Sequence, residues 1–178
     1  MVTTSGSKNK LTHPHDCLKQ AFFAALHATH GRRVVQEALP EHLDTLKGGI
    51  SIIAIGKAAE AMYLGAQDIL ADRVRSALII TASRYRSQST VTGPVQIVEG
   101  NHPIPGPESL QAGERLLQFA QNIPPEDSVL LLISGGSSAM VEKLPESVDL
   151  PFLQRANEWL IGSGMDIQSI NTVRKRLS

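Results

Sequence analysis

Two hydrophobic periods alternate along the chain and divide it into helices and strands. Between Asp16 and Thr29, the residues Leu18, Phe22, Ala25, Leu26 and Thr29 recur at helical spacing, and Gly31 is expected to end that segment. Ile50 to Ile55 is an unbroken apolar run rich in β-branched side chains, the pattern of a strand buried on both faces of a parallel sheet. A helix with Ala59, Met62, Ala66 and Ile69 on one face follows it. A second strand is predicted over Ala77 to Ala82 and a third over Val95 to Glu99. The turn-rich segment Gly100-Asn-His-Pro-Ile-Pro-Gly-Pro107 then leads into a helix over about Glu108 to Asn122. A fourth strand, Val129 to Ile133, precedes a helix near Pro151 to Ile161 that carries Phe152, Ala156, Trp159 and Leu160. Strands alternating with helices specify an α/β fold of three layers, a mostly parallel sheet flanked by helices on both faces.

Composition narrows the class without naming a chemistry. Residues 1 to about 12 are a polar Ser/Thr/Lys/Asn tail, expected to be disordered, which leaves 13–178 as one domain. With 178 residues and 42% hydrophobic content the chain is long enough for a single well-buried core. Lys+Arg and Asp+Glu both number 17, so nothing in the charge balance points to nucleic acid or to an acidic membrane surface. Cys17 is the one cysteine, which excludes an internal disulfide and argues against a cysteine-based zinc site. No segment approaches the length of a membrane span and the amino terminus lacks an apolar targeting core, so a cytoplasmic protein is expected.

The chemistry concentrates where the fourth strand ends. Ser128-Val-Leu-Leu-Leu-Ile-Ser-Gly-Gly-Ser-Ser-Ala-Met140 is an apolar strand that runs straight into glycines and hydroxyls. Gly135 and Gly136 can take backbone angles closed to other residues and leave room for a ligand, so successive amides can turn toward a phosphate or carboxylate. Ser134, Ser137 and Ser138 add hydroxyl donors. Loops at the carboxyl ends of parallel strands are the usual ligand sites of open α/β sheets. A tight strand-to-helix turn with nothing bound is the plainer alternative.

A second candidate is Gly56-Lys57-Ala58-Ala59, after the first strand. It resembles the end of a phosphate-binding P-loop, but Ser51 stands in place of the first glycine and Ala58 in place of the magnesium-binding hydroxyl, so it is not one. What remains is a lysine at a strand end and a helix start, able to hold an anion as a point charge. A solvated lysine is the alternative. A cation there opposes the positive end of the helix dipole, an arrangement that an anionic ligand would compensate.

The end of the chain supplies a third. With Asp166 as cap, Ile170, Val173 and Leu177 fall on one helix face and Asn171, Arg174, Lys175 and Ser178 on the adjoining one. An amphipathic helix with a solvated basic face is the alternative. The pattern runs to Ser178 with no glycine or asparagine to close it, so the sequence is expected to be cut off within an element. Ile170, Val173 and Leu177 would then favour self-association into a homo-oligomer.

Gly56-Lys57-Ala58-Ala59, Asn101-His102-Pro103-Ile104-Pro105, Ser134-Gly135-Gly136-Ser137-Ser138-Ala139, Gly162-Ser163-Gly164-Met165 and Asn171-Thr172-Val173-Arg174-Lys175-Arg176-Leu177-Ser178 occur in this order and spacing. Together they resemble the N-terminal region of the glycerate 2-kinases whose C-terminal part is the MOFRL domain, over roughly residues 15 to 178. The resemblance implies a Rossmann-like domain and ATP-dependent phosphorylation of D-glycerate. It also implies Mg2+ as a cofactor and a cleft between this domain and a second one that the sequence lacks. Carried over, it makes Lys57 a catalytic cation and Ser134, Gly135, Gly136, Ser137 and Ser138 the phosphate or glycerate loop. It places Asn171 and Arg174 near the same cleft. For His102 a substrate contact and a role in ordering a proline-braced loop stay open.

The match has departures. The family usually has a third glycine where Ser137 stands, and a Gly-His pair where this chain has Arg84-Tyr85-Arg86-Ser87, which leaves the ligand role of the 84–89 loop in question. The resemblance identifies neither metal ligands nor a base for the glycerate hydroxyl, Glu99 at a strand end being a weak candidate. A hydroxypyruvate reductase is the competing enzyme class, against which stands the absence of G-x-G-x-x-G after the first strand. A non-catalytic remnant that retains the fold is the other competing class.

Overall fold

The computed structural model describes residues 13–86 and 91–178; the polar tail expected over 1–12 and the segment 87–90 lie outside the described residues. Helices α1 (Pro14–Ala28) and α2 (Gly31–Ala38) and a 3-10 segment (Leu39–Thr45) lead into β1 (Ile50–Ile55). Then follow α3 (Ala59–Leu70), β2 (Val74–Thr81), β3 (Val95–Glu99), α4 (Pro107–Gln121), β4 (Ser128–Ile133), α5 (Ser137–Met140), α6 (Leu150–Gly162) and α7 (Ile167–Arg174). The sheet is fully parallel, in the order β3-β2-β1-β4. The predicted three-layer α/β architecture is the one observed.

Two helical segments are findings beyond the periodicity. Gly31, expected to stop the first helix, instead opens α2, and Thr29 closes α1. A Cβ at Gly31 would lie 3.0 Å from Met62 Cγ, so the small residue lets α2 approach α3. The second, α5, is a single turn too short to show a period.

Alternate residues of the strands feed two cores. Ile50, Ile52, Ala54, Ala77 and Ile79 pack with Val35, Ala59, Tyr63 and Leu70 on one face of the sheet. Ile53, Ile55, Leu78 and Ile80 pack with Ala112 and Met140 on the other. Burial of such side chains stabilises by roughly 1.5–3 kcal/mol each. Coverage of the second face stops short of β4, where Val129, Leu131 and Ile133 are about half exposed.

Register decides where the loops emerge. Ile55 lies beside Ile80 and Ile133, and Thr81 beside Glu99, so all four strands end together. The chain leaves β1 toward β2 on one side while β4 returns on the other, which makes the β1/β4 border the topological switch point of the sheet. Gly56 and Ser134, the first residues beyond those two strands, face one another there.

Candidate functional site at the switch point

Backbone hydrogen bonds weld the two central loops. Ser134 N–H donates to the Ile55 carbonyl at 2.9 Å and Lys57 N–H donates to the Gly135 carbonyl at 3.0 Å. The Ser134 hydroxyl donates to the Ile55 carbonyl at 3.2 Å and accepts from Ala58 N–H at 3.0 Å. Ser134 is therefore a clasp between strand ends in this arrangement, its hydroxyl turned to the framework. Gly56, at φ +117°, sits so close that a Cβ would lie 2.5 Å from the Ser134 carbonyl oxygen.

Above this weld the predicted groups converge. Gly136 has φ +89°, and a Cβ on it would stand 2.7 Å from His102 Cδ2, 2.9 Å from His102 Nε2 and 3.3 Å from Lys57 Cε. One glycine of the fourth-strand loop thus touches both the lysine after β1 and the histidine after β3. Gly135 is open on its Cβ side, with nothing within 4 Å. Lys57 is exposed and precedes Ala58, the cap of α3, so it stands just outside the helix rather than in the first turn.

His102 is held from below and from the side. Ser109, fully buried, accepts from Asn101 N–H at 3.1 Å and donates to the Ala139 carbonyl at 2.7 Å, joining the 101–106 segment to α5. Arg84 Nη2 lies 2.6 Å from His102 Nδ1 and donates to the His102 carbonyl at 2.8 Å. The Tyr85 hydroxyl is 3.3 Å from the same Nδ1, and the two rings meet edge to face at 5.6 Å. The Lys57 ammonium lies 5.6 Å from the centre of the Tyr85 ring. Burial, together with the charges of Lys57 and Arg84, lowers the His102 pKa below the ordinary histidine value.

Arg84 and Tyr85 are neighbours of the candidate site that motif reading missed. They replace part of a familiar pattern and so looked like a loss. The available signal was position, because they directly follow β2 at the ligand-bearing end of the sheet. Arg86 pairs with the buried Glu60 of α3 at 3.1 Å, which ties this loop to the helix behind it. Glu99, the weak base candidate, accepts from Ser83 N–H at 3.4 Å and so supports the same loop.

Arg174 reaches the fourth-strand loop at Ser138, and it and Asn171 line a cavity whose lining does not include Lys57, His102, Gly135 or Gly136. Asp166 caps α7 as predicted, accepting from the amides of Gln168 and Ser169. Arg174 donates to the Ser138 carbonyl at 3.3 Å. Ser138, Glu142, Asn171, Arg174, Lys175 and Ser178 are among the residues lining a cavity of about 330 Å³. Glu142 is buried, one of its carboxylate oxygens has no hydrogen-bond partner among the described residues, and burial pushes its pKa up against the opposing effects of Ser178 and Arg174.

Residues 17–178 match a family described as a domain of unknown function, DUF4147. The chain belongs to this family. It is 33% identical over 86% of its length to a D-glycerate 2-kinase of Thermotoga maritima, of which the match covers 36%. It is 35% identical over 75% of its length to a glycerate 2-kinase of Pyrococcus horikoshii, covering 29% of that protein. An Agrobacterium vitis protein whose name proposes a hydroxypyruvate reductase is 32% identical over 90% of this chain and 35% of its own length. The crystal structure of the Thermotoga maritima glycerate kinase superposes with a TM-score of 0.78 at 30% identity, over 93% of this chain and 39% of that one. This DUF4147 chain is thus a homologue of the N-terminal part of glycerate 2-kinases, and spans about a third of the length of the curated relatives it matches.

Proposed function

We propose that this chain forms the N-terminal part of an ATP-dependent glycerate 2-kinase, which transfers a phosphoryl group from ATP to D-glycerate. The observation that carries the proposal is the convergence of Lys57 and His102 on Gly136 at the switch point, where a Cβ on that glycine would meet both side chains. Phosphoryl transfer depends mainly on positioning and on neutralising charge. In this scheme the amides of Gly135 to Ser138 cradle an oxyanion, Lys57 offsets its charge, and Arg174 and Asn171 flank it from α7. The open side of Gly135 and the side-chain-free cradle at Gly136 fit the phosphates of a nucleotide, which supplies the transferable group when bound. For Mg2+ the fit is poorer: among the described residues no three His, Cys, Asp or Glu side chains cluster to hold an ion, and no step is assigned to one.

In this proposal residues 13–178 are one wall of a cleft and are inactive alone, in a protein that works in the cytoplasm. A site built between two domains needs both to align the acceptor and exclude water. Loss of alignment alone removes up to about 7–11 kcal/mol of transition-state stabilisation. The competing reductase rests on the names of relatives such as those of Agrobacterium vitis, and Gly56-Lys-Ala-Ala-Glu-Ala61 lacks the glycine spacing of a dinucleotide loop.

Titration of ATP or sulfate into isotopically labelled protein tests the site. Amide shifts should centre on Gly135 to Ser138; shifts confined elsewhere would sink the assignment. Turnover of ATP and D-glycerate should appear only when the chain is joined to the remaining part of a glycerate kinase. Comparable turnover without that extension would refute the one-wall proposal.

A further inference from the structure

We propose that Arg84 is a positioning residue that fixes His102 as its Nε2–H tautomer, so that a neutral imidazole N–H joins the glycine-loop amides and Lys57 as a donor to one oxyanion. The donor role rests on the anion site proposed above; the tautomer rests on hydrogen-bond chemistry alone. A guanidinium has donors and no acceptor, so the ring nitrogen it meets must carry a lone pair. Arg84 Nη2 meets Nδ1 at 2.6 Å. The ring proton of a neutral His102 therefore sits on Nε2.

The second contact of the same nitrogen makes the arrangement specific. Arg84 Nη2 also donates to the backbone carbonyl of His102 at 2.8 Å, so one guanidinium nitrogen clamps both the ring and the main chain of one residue. The Tyr85 ring packs edge to face on the imidazole at 5.6 Å, and Arg84 lies 4.8 Å over that ring, which closes the clamp on its flank. Nε2 is left on the side of the glycine loop, 2.9 Å from where a Gly136 Cβ would be.

The charged groups that face the imidazole all favour its neutral form. Lys57 and Arg84 are both cations, Tyr85 brings a hydroxyl, and Gly136 brings only backbone. An imidazolium would add a third positive charge at this point, whereas a neutral N–H donates without that repulsion. In this tautomer Nε2 has no lone pair to offer, so His102 cannot take the acceptor's proton through that atom. Its contribution is a fixed donor, aimed before the ligand arrives.

Nitrogen-15 spectroscopy of the histidine rings in the 178-residue chain tests both parts. In the native chain at neutral pH, His102 should show a pyrrole-like Nε2 bearing hydrogen and a pyridine-like Nδ1. Arg84 is exposed, so Arg84→Met should leave the amide spectrum of the core intact while His102 relaxes to a mixture of tautomers. Arg84→Lys, with a donor but no fork, should fall between. A protonated Nδ1 or an imidazolium in the native chain, or an unchanged tautomer in Arg84→Met, overturns the assignment. Inorganic phosphate should then move His102 Nε2 together with the amides of Gly135 to Ser138. Amide shifts with Nε2 unmoved would overturn the donor role alone. No response from either would overturn the anion site and the donor role with it, while the tautomer would stand.

Discussion

A methyl group on Gly56 would lie 2.5 Å from both the carbonyl and the hydroxyl oxygen of Ser134. The ends of β1 and β4 close on one another only because that position has no side chain, and its φ of +117° is a second reason for glycine. Gly56→Ala should cost about 2–5 kcal/mol, the sum of backbone strain and overpacking against main chain that cannot yield. Urea unfolding measures it. A loss under 1 kcal/mol would mean the two loops separate easily and are not welded as described.

The two glycines of the fourth-strand loop should behave differently. Gly135→Ala meets nothing within 4 Å and should change stability by no more than about 0.5 kcal/mol. Gly136→Ala combines positive φ with contact on His102 and should cost about 1–3 kcal/mol. It should also abolish sulfate-induced shifts at Ser137 and Ser138. Equal behaviour of the two variants in unfolding and titration would show that the loop is not held against His102.

Lys57 is exposed and makes its fixed hydrogen bond through its backbone. Lys57→Ala should therefore leave stability within about 0.5 kcal/mol of the native chain. Its sulfate or ATP affinity should fall several-fold, read from the same amide titration. Lost stability with unaltered affinity would make Lys57 a structural residue.

Glu142 should give stability a pH slope. Its carboxyl titrates near 4.5 when unfolded and above that when folded, because burial disfavours the charge. The folded state therefore binds the proton more tightly, so this contribution is complete below about pH 4.5 and is lost as pH rises toward the raised folded value. Glu142→Gln keeps the neutral shape and removes the titration. The variant should gain on the native chain in unfolding experiments as pH goes from 4 to 8. A difference constant across that range would show that the carboxyl is not desolvated.

Val129, Leu131 and Ile133 present a half-exposed apolar row on β4, an edge strand among the described residues. Such rows promote association between chains. Leu131→Lys should lower the apparent mass of the 178-residue chain in light scattering at high concentration while changing stability by only about 0.5 kcal/mol. An unchanged association state would place the contact elsewhere.

The hydrophobic pattern determined all four strands, although β2 starts at Val74, three residues before the predicted Ala77. Ile50–Ile55 begins and ends where its apolar run does, because a strand buried in a parallel sheet has no polar face to blur its limits. Asp166 was legible as a cap because its carboxylate satisfies amides only two and three residues away. Local chemistry of this kind needs no fold to be read. Gly31 failed for the opposite reason. A glycine is also the residue that lets two helices approach, and its packing against Met62 lies 31 positions along the chain.

The site was legible as separate motifs and illegible as an arrangement. Lys57, His102 and Gly136 follow three different strands, and only the order β3-β2-β1-β4 with its aligned carboxyl ends brings them into contact. The same geometry turned the Ser134 hydroxyl inward, since the nearest acceptor and donor are Ile55 and Ala58 on the neighbouring strand end. It also brought in Arg84 and Tyr85. No sequence spacing relates Arg84 to His102, because a hydrogen bond between loops depends on strand order and register, and those are decided by the packing of the whole sheet.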